Sequence, residues 1–141
     1  MEIEFLSQNW HLILALVVIL ALLFLEPQLL KLSGIKPVGP LRVTQLVNHD
    51  SAIVLDVCTT KEFSQGHIPD AINLPLSDIS GGLNKKLNKS KDKPVIISCR
   101  SGNRAKSAAR KLVKQGFKDI YILSGGNMAW QKENLPMSKK A

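Results

Sequence analysis

An uninterrupted apolar run near the N-terminus limits what this chain can fold into more than any other feature. From Trp10 to Leu25 the sequence has sixteen residues with no formal charge unless His11 is protonated. As a helix this run is about 24 Å long, slightly less than the roughly 30 Å hydrocarbon layer of a bilayer. Apolar residues on both sides extend it, and local thinning of the bilayer relieves a small mismatch. We therefore expect residues 1–33 to form a membrane anchor with one span at about residues 10–25.

Two other interpretations of the run fit the sequence less well. A cleaved secretory signal has basic residues before the apolar run and a small-residue cleavage site after it. Here Glu2 and Glu4 precede the run, and Glu26-Pro27-Gln28 follows it. A buried core helix needs a partner to cover it, yet this run is apolar around its whole circumference and precedes a separate domain.

The charges that flank the run predict its orientation. No Lys or Arg precedes it, whereas Lys31, Lys36 and Arg42 follow within the distance over which the positive-inside bias is counted. The rest of the chain is therefore expected in the cytoplasm, with a short N-terminal tail outside.

Residues 34–141 hold 18 basic and 8 acidic side chains, and this net charge of +10 favours binding to an anionic membrane surface. A nucleic-acid partner is not expected, because aromatic residues to stack on bases are few and no binding motif is present.

The second informative feature is a cysteine placed between a strand and a helix. The apolar run Pro94–Ser98 predicts a buried strand, and Asn103–Gln115 predicts a helix. Cys99 would then lie in a tight turn at the positive end of a helix dipole, with Arg100 and Arg104 nearby. Such surroundings favour the thiolate, which is the nucleophilic form of cysteine. The alternative, a small apolar core residue, does not require a Gly and two Arg within the next five positions.

The spacing between Cys99 and Arg104 narrows the chemistry. Cysteine phosphatases have a longer loop between these two residue types, which forms a cradle wide enough for the oxygens of a phosphate. The four intervening residues here form a smaller ring that suits one additional sulfur atom. A cysteine phosphatase or an arsenate reductase is therefore disfavoured.

Further motifs lie on both sides of this loop in the chain. Before the loop, Ile53–Val57 is similar to the signature "LDVR", and Gly66–Pro75 is similar to "GHIPGAINLP", with Glu62-Phe63 between them. After the loop, Leu123–Gly126 followed by Trp130 is similar to "L-x-GG-x-x-x-W". With the Cys99 loop, these motifs make residues 41–136 resemble the rhodanese domain, here of a bacterial, membrane-anchored, single-domain type. The resemblance places the anchor in a bacterial inner membrane.

The resemblance implies both a fold and an activity. The fold is an α/β, rhodanese-like open parallel sheet with helices on both faces, in which ligands lie beyond the carboxyl ends of the strands. The activity is that of a sulfurtransferase, in which Cys99 carries sulfane sulfur as a persulfide. The donor would be a small sulfur compound or a protein persulfide, and the acceptor a thiol or cyanide. A non-catalytic rhodanese-like module that binds a partner at the cytoplasmic membrane face is the alternative. No metal or organic cofactor is expected, because the sequence has no motif for one.

The roles of the other site residues follow from the same resemblance. The loop that would bind the persulfide or an anion comprises Arg100, Ser101, Gly102, Asn103 and Arg104. Asp56 has a supporting role, in which it accepts hydrogen bonds from loop N–H groups or pairs with an Arg. His67 helps to build a turn and is not expected to catalyse.

Two residues depart from the family signatures. Cys58 stands where an Arg is usual, and losing that cation weakens the case for a charged donor such as thiosulfate. An exposed Cys58 could instead attack a persulfide on Cys99 and form a transient disulfide, which requires Cα atoms within about 7 Å. Both interpretations of Cys58 remain open from the sequence, although a lasting structural disulfide is not expected in a reducing cytoplasm. Asp70 replaces a Gly, with little effect expected because Asp tolerates turn conformations.

The remaining pattern predicts where the elements begin and end. Residues 34–40 are expected to be a linker, because their two Gly and two Pro forbid a continuous helix. The elements expected after it are an edge strand Leu41–Val43, a helix Gln45–His49 capped by Thr44, a strand at 51–57, a helix Thr60–Gln65 ended by Gly66, a strand at 71–74, a helix within 77–88 broken at Gly81-Gly82, a strand Ile120–Leu123 and a helix at 127–133. Residues 41–136 would form the domain, and residues 137–141 a frayed basic tail.

Overall fold

The computed structural model describes residues 1–81 and 85–140. They divide into two compact units, Met1–Leu32 and the chain from Ser33 onward. The first unit is built from two consecutive helices that meet at Asn9, and the second is an α/β domain.

The helices of the first unit are α1 (Glu2–Gln8) and α2 (Trp10–Leu32). Within α2, the 20 residues Trp10–Leu29 have a mean hydropathy of 2.5, and none of this stretch is buried. A helix of this length rises about 30 Å, which matches the hydrocarbon layer without help from neighbouring residues. The N-terminal helix is thus long and apolar enough to span a membrane, and it continues through Pro27, beyond the predicted span of about 10–25.

Among the described residues, one parallel sheet forms the centre of the second unit. Its strands are β1 (Ile35–Val38), β2 (Ile53–Asp56), β3 (Ile72–Asn73), β4 (Val95–Ser98) and β5 (Ile120–Leu123). They lie in the order β1-β5-β4-β2-β3, and every neighbouring pair is parallel. Asp56 at the end of β2 is paired in register with Ser98 at the end of β4. The carboxyl ends of these two strands therefore meet at one edge of the sheet, and the residues that follow them lie close together.

Helices make the crossovers that parallel strands require. They are α3 (Pro40–Asp50), α4 (Thr60–Gln65), a 3₁₀ helix (Leu76–Gly81), α5 (Lys85–Asn88), α6 (Asn103–Lys114) and α7 (Gly126–Lys132). The predicted break in the helix at 77–88 agrees with the 3₁₀ helix and the short α5, although Gly82 lies outside the described residues. The helix predicted at Thr60–Gln65 is confirmed, with the Thr59 side chain accepting a hydrogen bond from the Glu62 N–H at its start.

The core lies on both faces of the sheet. On one face, Val43 and Leu46 of α3 and Trp130 of α7 pack in one cluster with Ile96 and Tyr121 of the central strands. Successive strand residues point to opposite faces of the sheet. The buried residues next to Ile96 in β4 and next to Tyr121 in β5 therefore point to the second face. There α6 packs against both strands through a buried stripe, Ala105, Ala108, Ala109 and Leu112. The predicted α/β fold is thus confirmed.

The elements predicted for residues 34–43 are wrong. Residues 35–38, placed in a linker from the sequence, form the edge strand β1, which pairs with β5. Leu41–Val43, predicted as the edge strand, belongs instead to α3, because Gly39 is extended and Pro40 presets the backbone of the first helical residue. Thr44 does not cap a helix, since its hydroxyl donates to the Pro40 carbonyl oxygen within α3 at 3.2 Å.

The C-terminal segment is also more ordered than predicted. His67 and Ser138 exchange two backbone hydrogen bonds of 2.8 and 2.7 Å, so residue 138 is tied to the domain and is not part of a frayed tail. Asp70 has a φ of 62°, a left-handed turn conformation of the kind expected when it replaces a Gly.

Candidate active site

Cys99 stands at the carboxyl end of β4, immediately before the loop that starts α6. Its side chain is 1% exposed, and the backbone N–H of Gly102 donates to its Sγ across 2.9 Å. Gly102 has a φ of 104°, a conformation that side-chain-bearing residues rarely adopt, and this turn is what directs its N–H back at the sulfur. The turn thus places one backbone donor, the Gly102 N–H, against a buried sulfur atom at the N-terminus of α6, an arrangement that favours negative charge there.

The start of α7 holds the other side of this loop. The carbonyl oxygens of Cys99 and Arg100 accept hydrogen bonds from the backbone N–H groups of Asn127 and Met128, at 2.7 and 3.1 Å. The approach is possible because residue 126 is a glycine with a φ of 59°, and a Cβ there would come within 2.7 Å of the Arg100 carbonyl oxygen. The second Gly of the closing motif therefore allows α7 to approach the Cys99 loop closely.

Arg104, predicted to contact the anion or persulfide, is held by a carboxylate. Its Nη2 and Nη1 donate to Oε2 and Oε1 of Glu62 at 2.7 and 3.3 Å, a two-bond pair in which each side chain is about one third exposed. The guanidinium lowers the pKa of Glu62, so this carboxylate is ionised at neutral pH. The sequence indicates Glu62 only as part of a signature, and the structure makes it the direct partner of the predicted loop cation.

Cys58 is buried, whereas the predicted attack on a Cys99 persulfide required an exposed Cys58. Its side chain is 2% exposed, and its Sγ lies 3.9 Å from Arg104 Nη2. Burial raises the pKa of this thiol strongly, and a hydrogen bond to Asp56 and the charge of that carboxylate raise it further. Cys58 is therefore an uncharged thiol at neutral pH. Both cysteines are free in the structure.

Asp56 supports the corner next to Cys99 through buried hydrogen bonds. Its Oδ1 accepts from the backbone N–H of Cys58 at 2.9 Å, and its Oδ2 accepts from Nδ2 of Asn127 at 3.1 Å. The prediction left open whether it would accept from N–H groups or pair with an Arg. The structure shows the first of these, at the Cys58 corner, and no Arg partner for Asp56 among the described residues.

Asn127 is the site residue that sequence reasoning missed. Its side chain is buried, donates to Asp56 and accepts a 2.6 Å hydrogen bond from the Ser98 hydroxyl, while its backbone holds the Cys99 carbonyl. It thereby links the ends of β2 and β4 to α7. The sequence signal that could have indicated it is an Asn directly after the Gly-Gly pair, in the first turn of the closing helix.

The remaining predicted residues occupy less central places. Ser101 and Asn103 are exposed, in the loop and at the start of α6. His67 is buried in the turn after α4, with Nδ1 2.8 Å from the Phe63 carbonyl oxygen and its ring stacked on the Phe63 ring at 3.6 Å. The structure thus places His67 in the turn, as the resemblance implied.

An open pocket lies beside the Cys99 loop. Its lining includes Cys58, Glu62, Gln65, Arg100, Asn127, Met128, Gln131 and Met137. Amides and thioethers make up most of this surface, with one cation and one carboxylate. Within residues 1–81 and 85–140 no group of three or more metal-ligating side chains is found.

Known proteins share this architecture. A family model for the rhodanese-like domain matches residues 40–133. The chain is 37% identical over 105 residues to the uncharacterized protein YibN of Escherichia coli strain K12, which covers 74% of this chain and 73% of that protein. It is 35% identical over 92 residues to the thiosulfate sulfurtransferase GlpE of Pseudomonas savastanoi pv. phaseolicola, covering 65% of this chain and 84% of that one.

A solved structure agrees with these matches. The rhodanese-related protein of Thermoplasma volcanium superposes with a TM-score of 0.64 at 26% identity, covering 74% of this chain and 99% of that one. The family match includes the strand that carries Cys99, the loop after it and the helix that holds the loop from the other side. This chain therefore belongs to the rhodanese-like domain family.

Proposed function

We propose that this protein is a membrane-anchored sulfurtransferase that carries sulfane sulfur as a persulfide on Cys99. The observation that carries the proposal is the 2.9 Å hydrogen bond from the Gly102 N–H to Cys99 Sγ at the start of α6. A donor in that position stabilises the Cys99 thiolate that attacks the sulfur donor and that is formed again when the sulfur leaves. Membership of a family that includes a protein named thiosulfate sulfurtransferase supports the same activity.

The reaction consists of two sulfur transfers at one atom. The Cys99 thiolate attacks the outer sulfur of a donor, so that a Cys99 S–S bond forms while the donor bond breaks and its leaving group departs with the electron pair. The acceptor, a thiolate or cyanide, then attacks the outer sulfur of the persulfide and regenerates the Cys99 thiolate. No net oxidation occurs, so the chain needs no redox cofactor for this chemistry.

Sulfur loading of the full-length protein in detergent tests the proposal. After incubation with thiosulfate or glutathione persulfide, intact-mass spectrometry is expected to show a gain of one sulfur atom, and peptide mapping should locate it on Cys99. Cys58 should remain unmodified, because its raised pKa keeps the thiol protonated. Cyanide should remove the added sulfur as thiocyanate. A protein that gains no sulfur from either donor and forms no thiocyanate would be the non-catalytic binding module instead.

We further propose that α2 anchors the protein in a bacterial inner membrane with the rhodanese-like domain in the cytoplasm. The length and hydropathy of α2 support the anchor, and Lys31, Lys36 and Arg42 on its C-terminal side support the orientation. The partners would then be the membrane, a small sulfur donor or a protein persulfide, and an acceptor thiol, with no nucleic acid.

Protease protection in spheroplasts tests this orientation. Protease added from outside is expected to spare the domain, and it should digest the domain once the membrane is permeabilised with detergent. Carbonate or high-salt washing should leave the full-length protein in the membrane pellet. Digestion in intact spheroplasts would reverse the proposed orientation, and release by washing would rule out the anchor.

A further inference from the structure

The charge distribution around Cys99 indicates which sulfur donors the site can accept. Glu62 binds Arg104 through two hydrogen bonds, so the cation that closes the loop is already neutralised by a residue of this chain. The carboxylate is also fully ionised, because the neighbouring guanidinium lowers its pKa. A dianion that approached Cys99 would have to compete with Glu62 for Arg104.

The other groups at the pocket offer little to replace that cation. Cys58 supplies an uncharged thiol 3.9 Å from Arg104 Nη2. Arg100 and Glu62 are the charged side chains among the described lining residues, and Glu62 is already paired with Arg104, so Arg100 is the single cation that this lining offers to an anion. Gln65 and Gln131 present amides, and Met128 and Met137 present flexible thioethers. Amides and thioethers suit a peptide-like group of mixed polarity, because they offer hydrogen bonds and adaptable apolar contacts.

We propose that Glu62 is a specificity-determining residue, which selects a cysteinyl persulfide as the sulfur donor over thiosulfate. This inference rests on the proposed sulfurtransferase activity. In thiosulfate the two negative charges lie on and directly next to the transferred sulfur, where Arg100 supplies one cation and Arg104 would supply a second if Glu62 did not hold it. In a cysteinyl persulfide the transferred sulfur is attached to an uncharged CH₂–S group, and the peptide amides beyond it match the pocket lining.

The transfer step balances without any further reactant. Cys99 Sγ attacks the outer sulfur of R–S–SH, a new S–S bond forms at Cys99, and the donor S–S bond breaks. The donor leaves as the thiolate RS⁻ with the electron pair, and the persulfide proton stays on the transferred sulfur or goes to solvent. One S–S bond is lost and one is gained, so neither sulfur pair is oxidised or reduced overall.

Glu62→Gln provides the direct test, because the variant keeps the side-chain shape and removes the charge that neutralises Arg104. Steady-state kcat/KM would be measured for the full-length protein in detergent with thiosulfate, with glutathione persulfide and with persulfidated serum albumin. The wild-type protein should prefer a cysteinyl persulfide, and the albumin arm shows whether a protein donor is used better than a small peptide donor. The variant should gain about three- to tenfold in kcat/KM for thiosulfate relative to glutathione persulfide, and added salt should reduce this gain.

Two further variants make the result specific. Glu133→Gln removes an exposed carboxylate at the end of α7 and changes the net charge equally, so it should leave the donor ratio within about twofold of wild type. Gln65→Lys adds a cation to the pocket one helical turn from Glu62 and keeps both Glu62 and Arg104, and it should raise thiosulfate use by the same charge effect.

The outcomes separate this inference from the proposed activity. A wild-type protein that prefers thiosulfate, or a donor ratio that Glu62→Gln does not shift, overturns the role of Glu62 while the sulfurtransferase remains. A protein inactive with all three donors, in wild type and both pocket variants, overturns the activity and the inference together.

Discussion

Cys99→Ser is expected to abolish sulfur transfer, with a loss of about a thousandfold or more in kcat/KM. The serine hydroxyl fits the space of the thiol and can accept the Gly102 hydrogen bond, but it is not ionised at neutral pH and cannot form a persulfide. The protein should therefore fold normally and gain no sulfur. Thiocyanate formation and intact-mass spectrometry would measure the loss.

The second thiol of the chain provides a control within this experiment. The sequence has two cysteines, so Cys58 is the only thiol left in Cys99→Ser. Because the pKa of Cys58 is raised, its thiol stays protonated and should not take over the reaction. A circular dichroism melt close to that of wild type would show that the variant is folded. Wild-type turnover by this variant would refute the mechanism, and slow turnover with sulfur found on Cys58 would identify a second carrier.

Gly126→Ala is expected to lower the free energy of unfolding by about 2–5 kcal/mol, because strain and a steric clash act together. The φ of 59° is unfavourable for alanine, and the new Cβ would meet the carbonyl oxygens of Cys99 and Arg100. Relief of the clash requires the Cys99 loop to move away from α7, so activity should fall together with stability. Denaturant unfolding and thiocyanate formation would measure the two effects.

Gly34→Ala is the matched control for that substitution. Gly34 has a similar positive φ of 77°, yet a Cβ there would meet nothing within 4 Å. This variant should show the backbone strain alone, about 1–2 kcal/mol, and should leave sulfur transfer unchanged. Equal destabilisation by the two substitutions would mean that the close approach of residue 126 to the loop is unimportant.

Local signals predicted some elements to the residue. The strand Ile120–Leu123 is a short apolar run, and the helix Thr60–Gln65 has a capping Thr59 before it and Gly66 after it. The edge strand β1 was missed because Pro37 and its neighbours resemble a linker. An edge strand tolerates proline, since an N–H that faces away from the sheet has no ladder partner to lose.

Contacts in the candidate site could be predicted from the sequence only between residues that are close together in the chain. Cys99 and Gly102 are three residues apart, and their turn could be anticipated from the strand and helix around them. Glu62 and Arg104 are 42 residues apart, and Asp56 and Asn127 are 71 apart. Which side chains meet at such separations depends on the order and register of β2, β4 and β5, which a single sequence does not reveal.

The position of β1 has a consequence for how the domain can be separated from its anchor. Only Ser33 and Gly34 lie between α2 and this strand, so a cut at the predicted domain boundary, before Leu41, also removes the strand. The backbone N–H and C=O groups of β5 along that side would then be unpaired, next to four buried apolar side chains. Such an open edge is a template for pairing with another chain, so release by proteolysis before Leu41 would favour self-association and precipitation. A cut before Ser33 keeps β1 paired with β5, so the soluble fragment released there should aggregate less than one that starts at Leu41.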